Sequence, residues 1–239
     1  MLNLAINSIK DRLENLEVDG QPLIERWGGL VFPLTRSEEI GKTDSGDGIF
    51  RDSVFPVTCG MTWNDCIGNQ KYRWLTPDSR LRSIAYFEQM GDAVVNVERQ
   101  KFAPKSSLNV YEIPVRFVMW MNSAKLNING TANTDCSIVA PVMLKIQSIL
   151  KRNRVFQLNN PAYPNATVEF IFTGQETKDA AKIFGRYSYG KELNALGLFP
   201  YDFFSLKYLV RLSININCVE DFNFGTPNDC PVLGTPEES

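Results

Sequence analysis

Histidine is absent from the 239-residue sequence. Its side chain has the ordinary pKa that lies nearest neutral pH, and it is the commonest metal ligand in proteins. The absence excludes Ser-His-Asp and Cys-His nucleophilic sites and two-histidine zinc sites. Carboxylate pairs, lysine nucleophiles and substrate-bound Mg²⁺ remain open to a catalyst, but the chain shows no such constellation. We therefore expect a protein that is not an enzyme and needs no cofactor.

Cysteine is scarce, odd in number and scattered along the chain, at Cys59, Cys66, Cys136, Cys218 and Cys230. The first residues lack the successive charged, apolar and small-residue blocks of an export signal. Buried or free thiols in a reducing compartment are therefore expected, and a disulfide framework is not. The closest pair, Cys59 and Cys66, has no second closely spaced pair to complete a zinc site.

An excess of charge and long apolar runs are also missing. The chain has 25 basic and 27 acidic residues, for a formal net charge of −2. That balance disfavours binding to a nucleic-acid duplex or a membrane surface by bulk attraction. No apolar run approaches the roughly 18 residues that a membrane-spanning helix needs. We expect neither a membrane partner nor sequence-specific nucleic-acid binding.

Two segments carry the apolar spacing of an amphipathic helix. The first repeats apolar side chains at intervals of four and three, at Leu2, Ile6, Ile9, Leu13 and Leu16. This spacing predicts a helix that ends near Asp19-Gly20. The second helix is expected after a cap at Asp135 or Ser137. Its apolar face comprises Val139, Val142, Met143, Ile146, Ile149 and Leu150.

Alternating apolar and polar side chains mark the strands. Residues 111–119 alternate in this way, and Pro114 within them predicts an edge or a bulge. Residues 168–172 and 206–218 alternate as well. The last of these segments spans about 43 Å at about 3.3 Å per residue. A compact body of this length is about 45 Å wide, so the strand either crosses the domain or projects from it.

A turn signal and three polar segments complete the pattern. Met90-Gly91-Asp92 lies between two apolar segments and predicts a β-hairpin. The charged, glycine-rich residues 36–60 are expected to begin with a long exposed loop, and residues 173–199 to contain a short helix at 178–184 between glycine joints. Residues 220–239 are rich in Pro, Gly and Asn and are expected to form an extended arm.

Two fragments of the first polar segment resemble ligand-binding motifs and fail on inspection. Gly41-Lys42-Thr43 matches the end of a phosphate-binding loop, but the earlier glycine that this motif requires is replaced by Arg36. Residues 44–48 lack the alternating acids and the bidentate glutamate of a calcium loop. A solvated turn is the simpler prediction for them.

These elements predict the α+β class, with an antiparallel β-sheet backed by two amphipathic helices and carrying long loops or arms. We expect a single domain over residues 1–219, with the long loops 36–60 and 173–199 inserted in it. The extended C-terminal arm, residues 220–239, follows this domain.

The order of elements resembles that of the tail-completion, tail-terminator and neck-ring proteins of tailed bacteriophages. The resemblance rests on the opening LNLAINSIKDRLENL, the closing FFSLKYLVRLSININC and the layout between them. It implies a structural virion protein, made in the host cytoplasm, whose copies form a homo-oligomeric ring at the head–tail junction. Its partners would then be further copies and the neighbouring portal, neck and tail proteins, with DNA free to pass through the ring. This chain is longer than many members of that family, chiefly through the loop 36–60, the aromatic segment that follows it and the insertion 173–199.

A ring subunit needs two different surfaces that fit each other, and flexible arms or long strands serve that need. We expect the subunit and partner interface to use the Leu2–Leu16 helix, the loop 36–60, the terminal strand and the C-terminal arm. The candidate contact residues are Glu38, Lys42, Asp47, Lys207, Arg211, Phe222 and Phe224.

Two other functions stay open. The chain is alternatively a cytoplasmic β-rich binding module for a small ligand or peptide, with a site lined by Trp63, Tyr72, Trp74 and Trp120. A deep pocket with converging polar groups would favour this alternative, and a flat extended surface would favour assembly. An enzyme without histidine would have to use acids such as Asp44, Asp47, Asp65 and Asp78.

Overall fold

A computed structural model describes residues 1–18, 20–58, 75, 80–99, 107–126, 139–152, 154–158, 166–177, 179–188 and 201–215. Several residues singled out in the sequence lie outside the described part of the chain. They are the five cysteines, Trp63, Tyr72, Trp74, Asp65, Asp78, Asp135, Ser137, Phe222 and Phe224. The predicted C-terminal arm, residues 220–239, lies outside it as well.

The described residues form three helices and ten strands. The helices are α1 (Leu2–Glu14), α2 (Val139–Arg152) and α3 (Ala180–Phe184). The strands are β1 (Glu17–Val18), β2 (Gln21–Pro22), β3 (Arg26–Lys42), β4 (Gly48–Thr58), β5 (Ser83–Gln89), β6 (Val94–Arg99), β7 (Ser107–Asn122), β8 (Val155–Gln157), β9 (Thr167–Thr177) and β10 (Tyr201–Asn215).

One mixed sheet organises these elements, and the α+β class is confirmed. Its strand order is β4-β3-β5-β7-β10-β9-β8, with β6 also paired to β7. The prediction of a purely antiparallel sheet is wrong at one place, because β3 and β5 run parallel. The sequence signal for an antiparallel sheet comes from strand alternation, which carries no information about the direction of a neighbour. Apart from this sheet, β1 and β2 form a small hairpin.

The apolar faces of the two long helices are buried, as predicted. The five apolar residues of the first stripe are buried, and so are Val139, Val142, Met143, Ile146 and Leu150 of the second. Both sets share one hydrophobic cluster with the sheet residues Phe87, Phe117, Phe170 and Phe204. The first helix ends earlier than predicted, at Glu14, because the chain then forms the β1–β2 hairpin, where Gly20 has a positive φ of 72°.

The predicted hairpin around Met90-Gly91-Asp92 is wrong. Strands β5 and β6 run in the same direction along one side of β7. Gln89 pairs with Val115 and Val94 pairs with Glu112, so four residues of this segment lie opposite only two residues of β7. The extra residues bulge out of the ladder. The bulge lies at Pro114, whose carbonyl accepts a 2.8 Å hydrogen bond from the Met90 N–H. Pro114 has no N–H to donate in return. The predicted edge is wrong, because β7 lies inside the sheet, and the extra residues of the bulge belong to the neighbouring segment 90–93, not to the strand of Pro114.

Residues 36–52 do not form a loop. They continue β3 to Lys42 and begin β4 at Gly48, so that only residues 43–47 turn. The segment reads as a loop because its side chains are polar and charged on both faces, which hides the alternation of a half-buried strand. The backbone pairs from Val31↔Thr58 to Lys42↔Gly48, with one irregularity at Glu39 and Gly41.

Residues 173–199 were expected as a flexible insertion, and their described part is ordered within the fold. Residues 173–177 extend β9, and the predicted short helix is confirmed as α3. Ile183, Phe184 and Tyr187 are buried in a second hydrophobic cluster on the sheet face opposite α1 and α2. Trp120 is also fully buried in this cluster, so it serves the core and lines no ligand site.

Strand β10 crosses the domain. It pairs along its whole length with β7, from Tyr201↔Asn122 to Asn215↔Leu108, and with β9 from Phe204 to Ser213. Both of its backbone edges are thus occupied by the same chain. From Phe204 to Ser213 the strand therefore offers no free backbone edge for a further strand to extend.

Candidate functional site

The outer half of the β3–β4 hairpin extends beyond the rest of the sheet. We call residues 36–52 the distal ribbon. Strand β3 pairs with β5 only as far as Val31, and beyond this residue the sole strand that pairs with it in the described part is β4. At the base of the ribbon, the Val54 N–H donates a 2.8 Å hydrogen bond to the Ser188 hydroxyl.

The tip of the distal ribbon is a well-bonded turn. The Thr43 N–H donates to the Asp47 carbonyl and the Gly46 N–H to the Thr43 carbonyl, both at 2.8 Å. The Asp47 N–H in turn donates to the Thr43 hydroxyl at 3.1 Å. Gly46 adopts a positive φ of 88°, which a residue with a Cβ rarely does. The predicted solvated turn at residues 44–48 is therefore confirmed.

The outer part of the ribbon is long and exposed, and few contacts stabilise it. Seven residues from position 36 to Lys42 reach about 23 Å at about 3.3 Å per residue. All residues from Lys42 to Ile49 are exposed, and Ile49 is exposed although it is apolar. A two-stranded hairpin without a third strand or a packed helix is marginally stable in water. A second molecule that packs on the ribbon would therefore stabilise it.

Three of the predicted contact residues lie on this ribbon. Glu38 stands opposite Arg51 in the strand register, and Lys42 and Asp47 are exposed at and next to the tip. The ribbon carries five acidic and three basic residues and so has a formal charge of −2. The structure thus groups these three residues on one projection with a small negative charge.

Lys207 and Arg211 lie elsewhere, on the β10 face opposite α1 and α2. The Lys207 ammonium donates to Glu176 at 2.7 Å, and the Arg211 guanidinium donates to Glu112 at 2.7 Å. Both side chains are about two-fifths exposed, at 42% and 41%. They join neighbouring strands within one chain, and the structure does not bring them to the distal ribbon.

A buried ion pair, which the sequence did not reveal, lies on the same face. Glu88 of β5 stands directly opposite Arg116 of β7, and both are almost completely buried. The Arg116 Nε donates to the Glu88 Oε1 at 2.6 Å, and an Arg116 Nη2 bond reaches the same oxygen. The Tyr187 hydroxyl donates to the Glu88 Oε2 at 2.6 Å. We call these three residues the buried clamp.

The buried clamp holds the α3 segment against the sheet. The Arg116 guanidinium donates to the carbonyl oxygens of Lys182 and Ile183 at 2.8 and 2.7 Å. Those carbonyls are at the end of α3, where helix geometry leaves carbonyls without intrahelical donors. Arg186 adds a 3.3 Å contact to the Glu88 Oε2. The clamp is therefore a structural fastening with its polar groups satisfied, and it leaves no open position for a substrate.

Glu176 connects the buried clamp to Lys207. Its carboxylate accepts from the Lys207 ammonium and the Ser205 hydroxyl and lies 3.7 Å from an Arg116 nitrogen. Burial alone would raise the pKa of Glu176, but the hydrogen bonds from Lys207 and Ser205 and the charges of Lys207 and Arg116 together outweigh it and hold the pKa below its usual value. The pKa of Asp179 is also lowered, because the Lys182 N–H and ammonium both bind its carboxylate.

We expect stability to fall in acid as these two carboxylates gain protons. A carboxyl whose pKa is lowered by folding stabilises the native state above its ordinary pKa, and that contribution disappears as the pH falls through the folded value. The urea midpoint should therefore decrease as the pH drops below about 4.5. Glu176→Gln should be less stable at neutral pH and less sensitive to acid, as urea titrations from pH 7 to about pH 3 would measure.

Asp179→Asn is the matched control for this titration, because Asp179 caps α3 at the surface and is not part of the buried clamp. It should reduce the acid sensitivity independently of Glu176→Gln. Identical pH profiles for Glu176→Gln and the natural chain would contradict the role assigned to Glu176.

A cleft of about 460 Å³ lies between α2 and β9, at the other end of the sheet from the ribbon. Its floor is aromatic, with the rings of Phe170 and Phe172 at 6.0 and 5.7 Å from that of Tyr208. Burial raises the pKa of the Tyr208 phenol, so this group stays neutral. Lys151 and Arg154 bring positive charge to the rim.

Beside the cleft, β9 presents an open backbone edge. Strand β8 covers β9 only opposite Thr167–Glu169, and the Phe170 N–H then donates to the Arg154 carbonyl at 2.7 Å. Past that bond, the part of the chain that the structure describes supplies no strand to this edge. Phe172 is 49% exposed there. An open strand edge with an exposed aromatic side chain is a typical site for strand pairing between chains.

Metal binding and membrane insertion find no support in the described residues. No group of three or more Cys, Asp or Glu side chains within them is placed to hold a metal ion. The acids at the ribbon tip, Asp44 and Asp47, are exposed to solvent. None of the described helices is both long and apolar enough to cross a bilayer.

Comparisons with protein-family models, with curated proteins and with solved structures found no match to this chain. Function therefore has to be inferred from the surfaces themselves. Sequence reasoning missed the buried clamp, the cleft and the open β9 edge. The one available signal was Glu88, a single acid that directly follows the apolar run of β5.

Proposed function

We propose that this chain is a structural virion protein that forms a homo-oligomeric ring in the neck or tail of a tailed bacteriophage. In this proposal the body of the subunit is the sheet backed by α1 and α2. The hydrophobic cluster that both helices share with the sheet supports this description. The distal ribbon is the observation that carries the proposal.

The ribbon supports assembly for an energetic reason. A chain segment that is ordered as a long hairpin loses conformational entropy, and contacts must offset that loss. The ribbon base has such contacts at Val54 and Phe55, whereas residues 42–49 are exposed. Contacts from a neighbouring copy would supply what the isolated subunit lacks. Its mixed charges keep the free subunit from aggregating through the exposed strands.

The proposal also agrees with the shape of the sheet. Strand β4 ends the sheet on one side, and the open stretch of β9 lies at the opposite side. A subunit with two different edges at opposite ends joins its neighbours head to tail, which closes a ring when the rotation between copies allows it. Neighbouring neck and tail proteins would then bind the remaining surfaces of the ring.

Electron microscopy of the purified chain tests the proposal. We expect annular particles at high protein concentration, and mass photometry should show discrete multiples of 27.0 kDa that grow with concentration. High salt should weaken the assembly, since the exposed contacts involve charged side chains. A chain that stays monomeric at every concentration, both alone and with neighbouring neck proteins, would contradict the proposal.

A second candidate function is that of a β-rich binding module. The cleft between α2 and β9 favours it, since its aromatic floor and basic rim suit a small anionic ligand or a peptide. Such a module would work as a monomer. The microscopy therefore separates the two functions, because annular particles favour the structural role and uniform monomers favour the binding module.

A further inference from the structure

The proposed ring leaves open which surfaces of the subunit meet. Resting on the proposed function, we infer that the distal ribbon of one copy docks along the open β9 edge and the adjacent cleft of the next copy. We call this open edge and cleft together the receiving surface. It consists of the β9 edge from Ile171 to Thr177, with Lys151, Arg154 and the exposed ring of Phe172 beside it.

The ribbon is long enough to cover the open β9 edge. The open part of β9 from Ile171 to Thr177 has seven residues, as does the ribbon arm from position 36 to Lys42. Each therefore extends about 23 Å at about 3.3 Å per residue. A ribbon strand laid along the β9 edge would pair backbone groups over the full open stretch.

The two surfaces also match in charge. The distal ribbon has a formal charge of −2, and its tip exposes Asp44 and Asp47. The receiving surface exposes Lys151 and Arg154, and Arg152 follows on the same helix end. The ion pair between Arg154 and Glu169 is long, at 3.8 Å, and the Arg154 side chain is 63% exposed, so its charge is available to a partner. Opposite charge on the two surfaces favours their encounter and disfavours ribbon-to-ribbon contact between copies.

The occupant has to come from another copy. Strands β3, β5, β7 and β10 separate β4 from β9, so five interstrand steps of about 4.8 Å place the edges about 24 Å apart across the sheet. The ribbon runs along the strand direction and not across the sheet, so it cannot reach the β9 edge of its own chain. Docking is therefore heterologous and repeats from copy to copy, as a ring requires.

Charge reversal on the two surfaces tests the docking. Asp44→Lys/Asp47→Lys changes only the exposed tip, and Lys151→Glu/Arg154→Glu changes only the rim of the receiving surface. We expect each double variant to fold normally and to raise the concentration for half-assembly by about tenfold or more. The variant with all four changes should regain assembly, because the two surfaces again have opposite charge. Mass photometry and electron microscopy provide the readout.

The matched control is Arg80→Glu/Lys125→Glu, which shifts the net charge as far as the rim variant does. Both control residues are exposed and belong to neither surface, and Lys125 binds the Arg80 carbonyl. We expect the control to assemble like the natural chain. Weakening of assembly by the control to the same degree would assign the effect to net charge and overturn the docking.

The remaining outcomes separate the docking from the proposed function. If the natural chain forms rings and the rim variant forms them equally well, the docking is wrong and the ring stands. If the rim variant loses the rings and the fourfold variant does not recover them, another segment occupies the receiving surface and the ribbon is excluded. If the natural chain never assembles, the proposed function fails and the docking fails with it.

Discussion

Arg116→Leu is expected to destabilise the protein by about 3–5 kcal/mol, because it leaves the Glu88 carboxylate buried with only the partly exposed Arg186 beside it as a cation. Removing the guanidinium also removes the hydrogen-bond donor of the α3 carbonyls of Lys182 and Ile183. Total stabilities of about 5–15 kcal/mol are typical of folded proteins, so this one change would remove a large share. Urea unfolding at neutral pH measures it as a lower midpoint with an unchanged slope.

Two further variants make this prediction specific to the buried clamp. Arg116→Lys keeps the charge but lacks the planar fork that binds Glu88 and two carbonyls together, so its loss should be intermediate. Glu88→Leu/Arg116→Leu removes both charges and should be more stable than Arg116→Leu alone. A loss below about 1 kcal/mol for Arg116→Leu would show that the pair is not buried in solution.

Shortening the distal ribbon is expected to abolish ring assembly and to leave folding nearly unchanged. Arg36 and Ser53 stand opposite each other in the register, so Asn-Gly can replace residues 37–52 as a two-residue turn between them. Residues 42–49 of the ribbon are exposed, and beyond Val31 the only strand that pairs with β3 in the described part is β4, so the unfolding free energy should change by less than about 1 kcal/mol. Urea unfolding and mass photometry on the same preparation measure both effects.

The outcome of this deletion separates two roles for the ribbon. Rings that persist in the shortened chain would show that the ribbon is not an assembly element. A chain that loses stability along with its rings would show that the ribbon supports the fold of its own subunit. An insertion of Gly-Ser residues at the tip, between Ser45 and Gly46, is the control for length, and the longer ribbon should still assemble.

The buried clamp also limits what function the sheet face near α3 can have. The Glu88 carboxylate, the Arg116 guanidinium and the Tyr187 phenol together resemble a set of catalytic groups. Each of them is already occupied by hydrogen bonds within the protein. Catalytic groups need a cavity next to them and a geometry that changes with the reaction. Segment 179–188 fills the space above the pair, so fastening this segment is the function that its geometry supports.

Prediction from the sequence worked where the signal was local. The stripe of α1 and the stripe of α2 both bury, because residues three and four apart share a helix face whatever the rest of the fold does. It failed at Met90-Gly91-Asp92, where a turn signal proved to be a bulge. A Gly-Asp sequence is compatible with either structure, and the bulge forms where β7 carries Pro114, whose carbonyl accepts from the Met90 N–H.

The candidate contact residues were only partly predictable. Polar composition located Glu38, Lys42 and Asp47 in one exposed segment but hid the strand pairing that makes this segment a ribbon. Lys207 and Arg211 were correctly placed on the polar face of β10, yet their acidic partners come from other strands. Strand register joins residues that lie far apart in the chain, and no local pattern reports it.

The sequence by itself determined the classes of site that are excluded, the two amphipathic helices and the alternating strands, because composition and short-range periodicity depend only on neighbouring residues. The tertiary structure alone decided the parallel β3–β5 pair, the opposition of Glu88 and Arg116 and the separation of the ribbon from the open β9 edge. These features depend on which strands pair over long distances in the chain. That choice is made by the burial and hydrogen bonding of the whole fold at once.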